Sequence, residues 1–231
     1  TKPMHIIPTG LNLDMYNPAR TSEETVKELR GKLGIAEDEF MLVYVGRIAE
    51  EKSIDFVLRG YRKMAMPHKV RLVVVGGGPQ LDDLRKLARE LEIDVVFTDR
   101  VLHEEVPAYY HAADAFVSAS LSETQGMTFI EAMASGLMVF ARPDEVLEGI
   151  VVEGNTGFLF TTEEEFAGKV LDFAALPKET RLQYRKQAMD QVLCFDRRVF
   201  GEKVMEVYQY AIDVKRKLNE VKSVKMTGDL E

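Results

Sequence analysis

Short apolar runs alternate along this chain with stretches whose apolar residues recur every three or four positions. The runs are MLVYVG (Met41 to Gly46), VRLVVVG (Val70 to Gly76), DVVFT (Asp94 to Thr98), AFVSAS (Ala115 to Ser120), MVFA (Met138 to Ala141) and GFLF (Gly157 to Phe160). They are rich in β-branched residues and almost unbroken in apolarity, as expected of strands buried on both faces. Helical spacing predicts helices from Glu51 to Met64, Leu81 to Leu91, Val106 to Ala113 and Thr128 to Ser135. Strand and helix in strict alternation predict a parallel sheet joined by crossover helices, an α/β fold.

From Glu163 onward the pattern is helical only, with breaks near Pro177 and Phe195. The last helix, from Arg197 to about Val221, carries one stripe: Val199, Phe200, Val204, Val207, Tyr208, Ala211 and Ile212. The basic residues Lys215, Arg216, Lys217, Lys222 and Lys225 read as its solvated end. The expected organisation is therefore a sheet domain over 1–195 and a helical extension over 196–231.

Open α/β sheets bind ligands beyond the carboxyl ends of their strands, where strand order reverses. With the order 3-2-1-4-5, that crevice lies between strands one and four. GRIAEEKS follows strand one and holds Arg47 and Lys52; SLSETQGMTFIEAMASG follows strand four and holds Glu123 and Glu131. An arginine fork and a mobile lysine suit a diphosphate; as a pair they can also stabilise it as a leaving group. The alternative is a surface pair partnering Glu50 and Glu51.

Gly126 stands where the next helix should open, so a phosphate can approach the free N–H groups of Met127 and Thr128. Glu131 lies further along that helix, and its carboxylate suits a vicinal diol. Its setting, TFIEAMASG, is otherwise apolar or small, which argues against a plain solvated face.

VVVGGGPQLDDL resembles a dinucleotide fingerprint and fails as one. Leu81 stands where the third glycine belongs, and the second strand feeds it. Gly76 to Gly78 read instead as a tight turn beside the ligand, with Pro79 opening the helix. His5, His68, His103 and His111 have no metal-ligand spacing, and no Ser/His/Asp set is evident. His103, after strand three, reads as a surface histidine near the site.

Composition narrows the partners. The 231 residues are 46% apolar, with a net charge of −8, so a large core is possible and general nucleic-acid binding is disfavoured. Cys194 is the single cysteine, which excludes an internal disulfide and points to a reducing compartment, the cytoplasm. The abrupt start, TKPMHIIPTG, suggests a piece of a longer protein.

PTGLNLDMYNP, VYVGRIAEEKSIDFVLRGY, LVVVGGGP, SETQGMTFIEAMASG and GNTGFLF, taken in order, resemble the carboxyl-terminal half of retaining glycosyltransferases of the group-1, family-4 type. That family includes sucrose synthase-like, mannosyl- and diacylglycerol glucosyltransferases, and its two-domain B fold pairs two Rossmann-like halves. The resemblance implies a doubly wound Rossmann-like sheet and a nucleotide sugar, UDP-glucose by expectation, as donor. Arg47 and Lys52 would bind the diphosphate, Glu123 hydroxyls of the transferred sugar, and Glu131 the ribose. Gly46, Gly76, Gln125, Gly126, Met127 and Thr128 would line sugar and phosphate; Asp99, Arg100, Val101 and Leu102 would flank the base. No cofactor is implied and usually no metal.

Thr124-Gln125 departs from the usual small-then-aromatic pair. SETQG resembles the branch that glucosylates diacylglycerol, which implies a lipid acceptor and peripheral association of the full-length protein with the inner membrane face. The amino-terminal acceptor domain is expected to be missing, leaving the final helix without the domain that it packs on in the family. A sugar-nucleotide 2-epimerase of the same fold, or a non-catalytic nucleotide-binding module, is the alternative.

Overall fold

The computed structural model of the protein describes residues 3–64 and 70–228. His68 and the side chains of Lys222 and Lys225 lie outside the described residues.

Six strands form one parallel sheet: β1 (Phe40–Val45), β2 (Val70–Val75), β3 (Val95–Phe97), β4 (Ala115–Ser118), β5 (Met138–Ala141) and β6 (Gly157–Leu159). Their spatial order is β3-β2-β1-β4-β5-β6, with every neighbouring pair parallel. The order reverses between β1 and β4, where Leu42 pairs with Ala115 and Val43 with Phe116. Every residue of β1, β4 and β5 is buried, because helices cover both faces.

The helices of the sheet unit are α1 (Glu23–Lys32), α2 (Ile54–Arg62), α3 (Leu81–Glu90), α4 (Val106–Ala112), α5 (Met127–Ala134), α6 (Glu163–Ala174) and α7 (Lys178–Gln191). On one face Phe40, Leu42 and Tyr44 pack with Val57 of α2, Leu84 of α3 and Phe166 of α6. On the other, Tyr110 of α4, Phe116 of β4 and Phe129 of α5 form an edge-packed ring series with centroids 6.1 and 5.4 Å apart. Burying each such side chain stabilises the fold by roughly 1.5–3 kcal/mol.

Three details differ from the sequence-based expectation. The helix expected from Glu51 is split: a 3-10 turn, Glu50–Lys52, precedes α2, and Ser53 between them adopts φ 48°. Pro79 does not open α3, which is capped by Gln80 and begins at Leu81. Helix α1 is not predicted by the apolar pattern, because it buries no residue fully and so carries little periodicity. Its signals are polar: Ser22 Oγ accepts from Thr25 N–H at the cap, and Glu23 and Glu24 face the positive helix end. Arg30 anchors it by donating to the carbonyl oxygens of Ala112 (2.8 Å) and Ala36 (3.0 Å).

The chain divides into two compact units, Asn12–Leu193 and Thr1–Leu11 with Cys194–Glu231. In the second, Leu11 N–H donates to Phe195 O at 2.8 Å and Arg197 N–H to Leu11 O at 2.9 Å. The first residues are thereby stitched to the start of α8 (Arg197–Gly228), where Phe200 packs so close to Gly10 that a Cβ there would sit 2.5 Å from it. The α8 stripe begins half-buried at Val199, Phe200, Val204 and Val207, then turns exposed at Tyr208 and Ile212. Lys215, Arg216 and Lys217 are exposed, as a solvated helix end requires.

Candidate functional site

The segments after β1, β2, β3 and β4 meet at the carboxyl edge of the sheet. Ladder hydrogen bonds continue past the strands: Gly46 N–H donates to Val75 O, Ile48 N–H to Gly77 O, and Gly76 N–H to Asp99 O, at 3.0, 3.0 and 3.1 Å. The close crossing explains the glycines. A Cβ on Gly76 would lie 2.0 Å from Gly46 O, and one on Gly78 would lie 2.0 Å from Ile48 O. The fingerprint-like GGG therefore serves the crossing of two loops, the first of which carries Arg47. Tyr44, buried beneath it, donates from Oη to Arg47 O at 2.9 Å and fixes the loop from below.

Lys52 and Glu123 face each other across the β1–β4 crevice. Lys52 Nζ donates to Glu123 Oε1 at 2.9 Å, with side chains only 22% and 10% exposed. The 3-10 turn before α2 aims the lysine across the gap. Ser120 Oγ, itself buried, adds a second link to Glu51 O at 3.4 Å. Behind Glu123, its N–H donates to Asp144 Oδ2 at 3.3 Å, and Asp144 Oδ1 accepts from Val146 N–H at 2.9 Å. Neither the ion pair nor the Asp144 support follows from the sequence pattern.

Arg47 is different. Its side chain is 69% exposed and lies 3.7 Å from Glu51, a loose pair of the kind worth little in water. The surface-pair alternative thus describes Arg47, while Lys52 is engaged with Glu123.

Gly126 caps α5 in the left-handed region (φ 63°, ψ 32°), and the helix begins at Met127. The N–H groups of Met127 and Thr128, in the first turn, have no intrahelical acceptor. One turn on, Glu131 is half-buried. Tyr110 Oη, fully buried, donates to Glu131 Oε2 at 3.0 Å and lies 3.4 Å from Thr128 O. Burial raises the Glu131 pKa; the Tyr16 and Tyr110 hydroxyls and the charge of His103 oppose that rise. The Tyr16 hydroxyl is near this carboxylate but falls short of hydrogen-bond geometry, so its buried oxygen keeps no partner.

Beyond β3, Asp99 holds φ 61° and accepts from Arg85 Nη2 at 2.8 Å, while Arg100 and Leu102 are exposed and Val101 half-buried. Gln125 is exposed beside the α5 cap, and His103 is exposed near Glu131. The segments at the sheet edge therefore carry Arg47, Lys52, Asp99 to Leu102, Glu123 and Gly126, with Glu131 one turn into α5. Tyr110 and Tyr16 are not among those residues, although a tyrosine in an apolar setting must send its hydroxyl to a partner or leave it orphaned. No cluster of three or more His, Cys, Asp or Glu side chains with metal-holding geometry occurs among the described residues.

Residues 25–191 match the family described as Glycosyl transferases group 1. The chain belongs to that family. A relative at 37% identity is the alpha-monoglucosyldiacylglycerol synthase of Streptococcus pneumoniae, aligned over 90% of this chain and 47% of the relative. The enzyme of the same name from Acholeplasma laidlawii is 34% identical over 75% of this chain and 44% of its own. The chain spans about half the length of these curated relatives. The fold matches Anabaena HepE solved with UDP (TM-score 0.80, 22% identity, 89% of this chain and 57% of that one). It also matches sucrose-phosphate synthase from Thermosynechococcus elongatus (TM-score 0.77, 25% identity, 91% and 53%). Membership of the group 1 glycosyl transferases speaks for glycosyl transfer and against the 2-epimerase alternative. The six-stranded parallel sheet is that of the carboxyl-terminal half of the two-domain B fold.

Proposed function

We propose that this chain is the donor-binding half of a retaining glucosyltransferase that moves glucose from UDP-glucose to diacylglycerol. The observation that carries the reading is the convergence at one sheet edge of a cation–carboxylate pair, Lys52–Glu123, and a half-buried carboxylate, Glu131, on the helix that Gly126 opens. A nucleoside diphosphate sugar needs that set: acceptors for the ribose diol, cations and free N–H groups for the phosphates, and a polar group for the sugar hydroxyls.

In this reading Glu131 accepts from the ribose hydroxyls, and Met127 and Thr128 N–H groups face the phosphates. Arg47 swings from the surface to join Lys52 on the diphosphate, where their charge stabilises the departing group. Glu123 takes hydroxyls of the glucose. Gly46 and Gly76 keep the floor of the crevice low, Gln125 lies beside the sugar, and Asp99 to Leu102 flank the base. The UDP in the HepE structure and the names of the two synthases support donor and acceptor respectively.

The acceptor must be held against the anomeric carbon, which requires a second lobe. This chain therefore binds donor without turning it over. A lipid acceptor places the full-length protein at a membrane surface, and no helix among the described residues is long and apolar enough to cross one. The test is calorimetric titration with UDP, GDP and their glucose conjugates, then transfer of labelled glucose to diacylglycerol by the full-length protein, with and without a chelator. Preference for UDP-glucose and chelator-resistant glycolipid synthesis are expected. Preference for GDP sugars, or robust transfer by this chain alone, would overturn the reading.

A further inference from the structure

The geometry points to Tyr110 as a positioning residue for Glu131: a buried phenol that holds the carboxylate in one orientation, ready for a vicinal diol, with the buried Tyr16 ring packed beside it. This rests on the ribose role given to Glu131 above. Tyr110 Oη occupies one lone pair of Oε2 at 3.0 Å, from an oxygen that is fully buried. A carboxylate offers about four acceptor sites, so one donor from below leaves the others for hydroxyls from above.

Tyr16 backs Tyr110 from a different segment. It is fully buried, its ring meets Tyr110 edge-on at 6.1 Å, and its hydroxyl is the unpartnered one beside Glu131. A buried hydroxyl without a partner is costly, so something must hold it there. That something is His111, the neighbour of Tyr110 on α4. Its Nε2 lies 2.9 Å from Tyr16 O, which can only accept, so Nε2 carries the proton. Nδ1 then accepts from Thr21 Oγ1 at 2.6 Å. Consecutive residues of α4 thus set both phenols, Tyr110 directly and Tyr16 through its backbone. The charged and titratable groups facing Glu131 are Tyr110 from α4, Tyr16 from the 3-10 turn Leu13–Tyr16, and His103 from the loop before α4.

The experiment compares UDP with 2′-deoxy-UDP by calorimetry on the chain and its Tyr110→Phe, Tyr16→Phe and Glu131→Gln variants, and follows the Glu131 carboxyl by carbon NMR against pH. The native chain should prefer UDP. Tyr110→Phe should weaken UDP about tenfold, the scale of a hydrogen bond to a charged group, and hold 2′-deoxy-UDP within about twofold. It should also move the Glu131 midpoint to higher pH. Tyr16→Phe should act in the same sense and less, lacking the direct bond. Equal losses for both nucleotides, or an unmoved Glu131 midpoint in Tyr110→Phe, would overturn the positioning role and leave a core tyrosine. Should the native chain not discriminate, or Glu131→Gln keep the discrimination, the ribose reading falls, and the NMR midpoint alone then decides the positioning role. If Tyr110→Phe unfolds, Tyr16→Phe decides the matter by the same two readouts.

Discussion

The two halves of the crevice are prepared differently. On the α5 side, Glu131 is held by a buried tyrosine, with a second phenol and a histidine behind it. On the β1 side, Arg47 lies out in solvent and Lys52 is neutralised by Glu123 at 2.9 Å. One half is fixed by hydrogen bonds within the fold; the other, in the proposed reading, must exchange the Glu123 contact for a phosphate. The physical reason is charge. A carboxylate can wait in a half-buried place when hydroxyls serve it, whereas two bare cations side by side would repel until a phosphate came. The ion pair keeps Lys52 at the crevice, and in the proposed reading it separates when a diphosphate offers more negative charge.

The largest expected effect tests how firmly the β1 half is built. Gly76→Ala places a Cβ 2.0 Å from Gly46 O, against backbone that has no room to yield, in a position whose φ of 136° already disfavours side chains. Stability should fall by about 3 kcal/mol, at the upper end of overpacking costs. Urea denaturation measures it, and a loss below about 1 kcal/mol would show that the loops separate freely. Nearly as large, Glu131→Ala should weaken UDP itself by about 1.5–3 kcal/mol, and Arg47→Ala should do so by a similar amount. Unchanged UDP affinity in Arg47→Ala would return that arginine to the surface pair seen at 3.7 Å.

The sharper test of the contrast is Glu123→Gln. Removing the charge frees Lys52, so UDP should bind at least as tightly as it does to the native chain. The extra affinity of UDP-glucose over UDP should disappear. If Glu123→Gln weakens UDP, the carboxylate does not oppose the phosphate at all, and the two halves are prepared alike.

Much of this is legible in the chain because apolar runs and glycine-bounded helices report burial. The six strands follow from runs such as MLVYVG and AFVSAS; their reversal between β1 and β4 agrees with an order that the runs themselves do not dictate. The positions of Glu123 and Glu131 follow from where those runs end. Helix α1 is hidden because its hold is polar, through Ser22 and Arg30, and leaves no apolar stripe. The Lys52–Glu123 pair is hidden because it joins residues 71 apart, and nothing local in GRIAEEKS marks a partner on another loop. Tyr16 is hidden for the same reason: only the packing of the Leu13–Tyr16 turn against α4 and α5 brings it to Glu131. Periodicity reports which face is buried, and says nothing of which polar atoms meet there.

The smallest effect concerns pH, and it too singles out the α5 half. Burial raises the Glu131 pKa, so the folded chain holds that proton more tightly than the unfolded one. Its effect on stability is nil below the unfolded carboxyl value of about 4.3 and grows unfavourable as pH rises toward the folded value, then levels. His111 runs the other way. Burial first, and Arg185 after it, lower its pKa, so its contribution is intact above the ordinary imidazole value of about 6.5. It is lost as pH falls from there through the lowered folded value. Urea titrations from acid to neutral pH should show Glu131→Gln gaining on the native chain as pH rises, while His111→Gln flattens the loss on the acid side. The two variants would then bend the stability profile at opposite ends. Parallel curves for all three proteins would mean that neither group titrates differently in the fold, and the prepared half would lose the electrostatic part of its preparation while keeping its hydrogen bonds.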